Sequence, residues 1–235
     1  MSEPGEFSIA ECTACAGDAG IASLVIWFSP STAHTIVKDR FQRVIQFKAT
    51  NGDSLKIDYD EGSIKQVRNK HGSPILNGTE KCVHIDEQCG AVEIDLGDDE
   101  TETHYVGSST VYKYKDGSKE VIASSGAVFK FRRNQHGCDG LVGIYTVDGR
   151  YFRVRTDSHG KHTANCTVQP GDSLYRIAED WLIHGAMPFD DDPPKTILRE
   201  TLRKAVQIIA EANGIDAPDR IYAGQNLWIP SNAVA

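Results

Sequence analysis

One stretch of the chain, residues 166–230, changes pattern in a way that few folds accommodate. Two short strand-like runs bracket two helical ones. Thr167 and Val168 lead into a Pro170-Gly171 turn, and Asp172 or Ser173 then caps a helix whose Leu174, Ile177 and Ala178 share one face. A second helix is expected from about Thr196 to Ala212, where Ile197, Leu198, Leu202, Val206, Ile208, Ile209 and Ala212 form a broad apolar stripe. Asn213 and Gly214 end it by supplying a left-handed cap. Ala223 and Gly224 turn the chain into a last short strand, Asn226–Ile229, stopped by Pro230. The predicted order is strand, helix, helix, strand.

The opening Val168-x-Pro-Gly-Asp-Ser-Leu-x-x-Ile-Ala178, the central Ala212-Asn-Gly-Ile215 and the closing Ile221-Tyr-x-Gly-Gln-x-Leu-x-Ile-Pro230 resemble, in that order, the LysM family. The resemblance implies a two-stranded antiparallel sheet with both helices on one face. It also implies binding, without cleavage, of N-acetylglucosamine-containing glycans such as peptidoglycan or chitin. By the same resemblance the groove lies between the loop joining the first strand to the first helix and the loop joining the second helix to the second strand. Carried over by position, the glycan-binding residues are Gly171, Asp172, Ser173 and Leu174, then Asp219, Arg220, Ile221 and Tyr222. Loop backbone groups would hydrogen-bond the acetamido group while Leu174 and Tyr222 cover the sugar face. The same residues also have an architectural reading, with Asp172 and Ser173 capping the helix and Ile221 and Tyr222 packing the core. The chain departs from the family in residues 181–194, which lengthen the space between the helices. Pro188, Pro193 and Pro194 rule out one continuous helix there, and the insertion is placed to remodel the groove.

Before this stretch the texture is uniformly β. Candidate strands at 23–28, 43–49, 54–59, 64–68, 92–96, 110–114, 120–123, 128–132, 143–146 and 151–155 alternate in polarity and are separated by Gly, Asp, Asn or Ser. Asn51-Gly52, Asp116-Gly117 and Asp148-Gly149 can reach the positive φ angles of tight hairpins. Residues 32–39 are read as one helical turn. Residues 55–68 are echoed by 110–122 and more faintly by 151–160, a pattern that resembles the tyrosine-aspartate (RHS-type) repeat. A meander, a sandwich and stacked hairpins all fit it. The fold class is therefore α+β overall, a β-rich domain at 23–162 followed by a βααβ LysM-like domain at 163–235. Residues 1–22 are small and acidic and are expected to form a loosely ordered arm.

The net charge of −8 argues against a nucleic-acid partner. No apolar run approaches the ~18 residues that a membrane-spanning helix needs. The N-terminus, Met1-Ser-Glu-Pro-Gly-Glu6, is acidic where a secretory signal is basic, so synthesis in the cytoplasm is expected. Six cysteines, at 12, 15, 82, 89, 138 and 166, read as free thiols in that setting. Cys12 and Cys15 have the spacing of a redox motif or half a zinc site. Cys82, His84 and Cys89 do not supply a second half at standard spacing, so no metal site is expected. The acidic runs 95–102 and 190–192 lack calcium-loop spacing and read as solvated loops, and residues 159–162 as a polar linker.

No phosphate-binding loop, nucleophile elbow or helical His-x-x-x-His pair occurs, so neither catalysis nor a cofactor is expected. The reading is a non-catalytic protein whose partner is a glycan polymer. The alternative is a structural or assembly protein with a protein partner, in a phage-tail-like or injection particle or an intracellular scaffold.

Overall fold

The structure is a computed structural model, and it describes residues 34–50, 52–77, 82–87, 90–106, 110–123, 125–133, 139–156, 161–185 and 199–234. The arm at 1–22, the expected strand 23–28, the acidic run 190–192, Ile197 and Leu198 lie outside these residues. So do Cys12, Cys15, Cys89 and Cys138.

The chain is β-rich, with two helices among the described residues. A five-stranded sheet is formed by β1 (His34–Lys38), β2 (Val44–Ala49), β3 (Ser54–Asp60), β4 (Ser63–Arg68) and β5 (Pro74–Asn77), in chain order. A ten-stranded sheet follows: β6 (Val83–Asp86), β7 (Ala91–Gly97), β8 (Glu100–Tyr105), β9 (Thr110–Lys113), β10 (Lys119–Ile122), β11 (Val128–Arg133), β12 (Asp139–Tyr145), β13 (Tyr151–Thr156), β14 (His162–Thr167) and β15 (Asn226–Ile229). Neighbouring strands pair antiparallel throughout, so the architecture is a meander of successive hairpins. Between β14 and β15 run helix α1 (Leu174–His184) and helix α2 (Arg199–Ala212). No helix of the described residues is long and apolar enough to cross a membrane.

One turn design recurs along the meander. At 146–150 the Thr146 amide donates to the Arg150 carbonyl at 2.9 Å and the Gly149 amide to the Thr146 carbonyl at 3.0 Å. The same pair of bonds closes 39–43, 49–53, 69–73, 114–118 and 123–127. These are three-residue hairpin loops in which one position must be left-handed, and glycine supplies it at 52, 72, 117, 126 and 149. In the Asp-Gly pairs only the glycine takes positive φ. The acid instead acts through its side chain, as where the Asp116 carboxylate accepts the Ser118 amide at 2.8 Å.

Three expectations are corrected. Residues 34–38 are strand β1 and not a helical turn, because β-branched Thr35, Ile36 and Val37 pair with β2. The acidic run 95–102 is not a loop: it is the end of β7 and the start of β8. Asp98 and Asp99, at φ 56° and 65°, form the two-residue turn between them, a conformation that Asp tolerates. The supposed linker residue His162 begins β14, which is longer than the Thr167–Val168 run suggested.

Two cores result. Val44, Phe47, Leu55, Ile57, Val67 and Leu76 of the first sheet share one with Val92 and Ile94 of β7. The other joins Val111, Val121, Phe129, Phe131, Leu141, Ile144, Phe152 and Val154 to Ala164, Cys166, Leu227 and Ile229 and to the inner faces of both helices. In α1 these are Leu174, Ile177, Ala178, Trp181 and Leu182, and in α2 Ala205, Val206, Ile209 and Ala210. The strand pair of the βααβ stretch is thus the end of a larger sheet. Strand β14 pairs with β13 from Thr156↔His162 to Phe152↔Cys166, and the helices cover one face of that common sheet.

Candidate functional site

The two loops singled out in the sequence leave the same end of adjacent strands. Strands β14 and β15 pair up to Thr167↔Asn226, and the Thr167 hydroxyl donates to the Asn226 side-chain oxygen at 2.9 Å. Beyond them the Val168 amide donates to the Gln225 carbonyl and the Gly224 amide to the Val168 carbonyl, both at 2.8 Å. Gly171 stands at φ +86°, with open space where a Cβ would be. Ser173, extended at φ −125° and ψ 155°, caps α1 by accepting the Arg176 amide at 3.2 Å. Asp219 and Arg220 are exposed, Ile221 packs partly against the core, and Tyr222 is 70% exposed.

The structure separates these residues by role. The expected apolar contact from Leu174 is not met, because its side chain is fully buried in the first turn of α1, among the core residues. Tyr222 is not core. Asp172 turns away from solvent, its side chain 5% exposed. Gly171, Ser173, Asp219, Arg220 and Tyr222 are the groups that remain open to a ligand.

What holds Asp172 is a residue that sequence reasoning missed. The Arg150 side chain, 1% exposed, donates through Nη1 to Asp172 Oδ2 at 2.5 Å and through Nη2 to Asp172 Oδ1 at 2.7 Å. Its Nε donates to Asp180 Oδ2 at 2.8 Å, and the Gln169 amide donates to Asp172 Oδ2 at 2.7 Å. Arg150 follows the 146–150 turn, so this ion triad fastens the β12–β13 hairpin to the β14–α1 loop and to α1. An outer pair repeats the link, with Arg176 Nη2 donating to Asp148 Oδ2 at 2.7 Å. A signal for Arg150 existed: it falls in phase with the inward Phe152 and Val154, and an inward arginine needs acidic partners.

The electrostatics follow the contacts. Burial pushes the Asp172 carboxyl up, but the Arg150 hydrogen bonds and the Gln169 amide outweigh it and hold the group below its ordinary value. The Thr146 hydroxyl, with Arg150 and Arg176, holds Asp148 low as well. Hydrogen bonds to Asp172 keep Arg150 above its ordinary value against burial. On β14, burial pushes the Cys166 thiol up to about 12, so it is an inert core group. Among the described residues no group of three metal-binding side chains converges.

The central block 212–215 serves the second loop. The Ile215 amide donates to the Ala210 carbonyl at 2.9 Å and the Gly214 amide to the Glu211 carbonyl at 3.2 Å, a Schellman cap with Gly214 at φ +63°. Asn213 then reaches the open edge of β15. Its Oδ1 accepts the Trp228 amide at 2.8 Å, and its Nδ2 donates to the Trp228 and Ile209 carbonyls, each at 2.7 Å. One side-chain amide satisfies both the edge strand and the helix end.

The family profile described as LysM domain matches residues 166–185 and 204–230; it takes in residues 181–185, which the sequence reading placed in the insertion and of which 181–184 are the end of α1, and passes over 186–203. No curated protein matches the chain. LysM domains are carbohydrate-binding and generally non-catalytic modules. The matched residues take in the end of β14, all of α1, most of α2 and β15, so the stretch 166–230 carries the match to the LysM domain.

Proposed function

We propose that this is a non-catalytic protein that binds an N-acetylglucosamine-containing polymer, of the peptidoglycan or chitin type, at the sheet end where the β14–α1 and α2–β15 loops meet. The supporting observation is that the LysM match coincides with an open loop pair there. Tyr222 stands out from one loop at 70% exposure, and the other opens with bare backbone at Gly171. A tyrosine ring offers an apolar face to a sugar, and loop amides offer donors to its acetamido group. Asp172 contributes by holding its loop in shape, with both carboxylate oxygens already engaged by Arg150.

The test is co-sedimentation with insoluble peptidoglycan and chitin, followed by titration with N-acetylglucosamine oligomers. Tyr222→Ala is expected to weaken binding about tenfold, the equivalent of about 1.4 kcal/mol, and to leave the melting temperature unchanged. No binding of the unmodified protein to either polymer or to the oligomers would overturn the proposal, and the fold would then be read as an assembly module.

A further inference from the structure

The helices cover only one face of the ten-stranded sheet. On the other face the strand registers align one row of side chains that leads away from the LysM loops. Thr167 of β14 stands opposite Asn226 of β15. The β13–β14 pairing ends at Phe152↔Cys166, and extending its register by one residue sets Tyr151 next to Thr167; Tyr145 of β12 is opposite Tyr151. From Tyr145 to Asn226 the row crosses β12 to β15, about 14 Å at ordinary strand spacing. It ends where the chain turns to Tyr222.

The two tyrosines form a surface unlike a random pair of exposed side chains. Their rings stack at 4.5 Å with an interplanar angle of 30°, yet they remain 36% and 39% exposed. Tyr151 leans over Gly143 of β12, where a Cβ would lie 2.8 Å from its ring and hydroxyl. Only a glycine lets the ring lie that low. Beyond the aromatic pair, exposed Thr167 and Asn226 add a hydroxyl and an amide. The four side chains of the row are themselves neutral, aromatic surface in line with hydrogen-bonding groups, and the one cation against it, Lys130 at 5.2 Å from the centre of the Tyr145 ring, is paired with Glu120 at 2.7 Å. That chemistry suits a neutral sugar chain, whose rings present apolar faces and hydroxyl edges, better than a nucleic acid backbone.

We propose that the glycan site is longer than the loop pair, and that a bound polymer continues from Tyr222 across Asn226 and Thr167 onto Tyr151 and Tyr145. This rests on the glycan reading above and adds to it a demand for chain length. The β12–β13 hairpin thereby becomes part of the binding surface.

The experiment is calorimetric titration of the full chain with N-acetylglucosamine oligomers from dimer to hexamer. The expected result is affinity that rises with length. Tyr151→Ala and Tyr145→Ala should each lose about tenfold on the hexamer and less than about twofold on the dimer. Tyr151→Phe keeps the ring and should keep the length dependence. Gly143→Ala, which displaces the ring without removing it, should flatten it. Tyr222→Ala should weaken every length alike. Dimer and hexamer binding equally well, or tyrosine variants that retain the full gain with length, would overturn the extension and leave the loop site standing. Binding of no oligomer at all would remove both. Binding of a single-stranded oligonucleotide lost in Tyr151→Ala, without any length-dependent glycan affinity, would assign the row to a different ligand and overturn the proposal.

Discussion

A buried arginine between two aspartates is a demanding arrangement, because each charge loses its hydration and only good geometry returns it. Arg150 meets that demand with a two-pronged contact to Asp172 and a third bond to Asp180. Arg150→Ala leaves two carboxylates buried without their partner and is expected to cost about 3–5 kcal/mol near neutral pH. The pH dependence has a definite sign. Asp172 is held below its ordinary value, so its contribution is complete above the unfolded value of about 3.9 and is lost as pH falls through the lower folded one. Without Arg150 the burial that pushes Asp172 up is opposed only by the Gln169 amide and the more distant Arg176 charge, so the penalty shrinks as pH falls into the carboxylate range. Urea denaturation of both proteins near pH 7 and near pH 4 should show the smaller gap at the lower pH. An equal gap at both would contradict the ion-triad account.

At the scale of elements, the loop carrying Tyr222 is only as well placed as the edge strand that follows it. Strand β15 is four residues long, and on its outer side the backbone of Trp228 is paired by Asn213. Asn213→Ala removes three hydrogen bonds while Gly214 still caps α2. It should cost about 1–3 kcal/mol, the range for backbone groups left unsatisfied. Hydrogen exchange at the Trp228 amide should speed up more than exchange inside β13 or β14. Uniform acceleration along the sheet would show that Asn213 acts through global stability alone.

For the whole molecule, the LysM domain shares its sheet and its core with the meander. A fragment of residues 161–235 lacks β13 and Arg150, and so exposes the edge of β14 and leaves Asp172 and Asp180 unpaired. It should melt well below the full chain. A fragment beginning at residue 139, which restores β12 and β13, should recover much of the difference. Equal melting of the short fragment and the full chain would show that these contacts contribute nothing.

Features that depend on local physics were legible in the residues alone. Alternation located the strands β2–β4, β7 and β9–β13, and the glycines that require positive φ located turns at 52, 117 and 149. Helical periodicity and caps located α1, α2 and the strand Asn226–Ile229, and the three motif blocks identified the LysM domain. Strands β1, β5, β6 and β8 were not legible, being short or polar and held by cross-strand partners. The candidate site was legible in its loops, though Leu174 could not be assigned to the core from a motif alone. That β14 continues the meander, that Arg150 reaches Asp172 across 22 positions of chain, and that Tyr145 stands opposite Tyr151 on the face away from the helices became visible in the folded chain. The physical reason is common to all of these. Local pattern specifies which face of an element is apolar, whereas pairing register and the partners of buried charges depend on what the rest of the chain brings alongside.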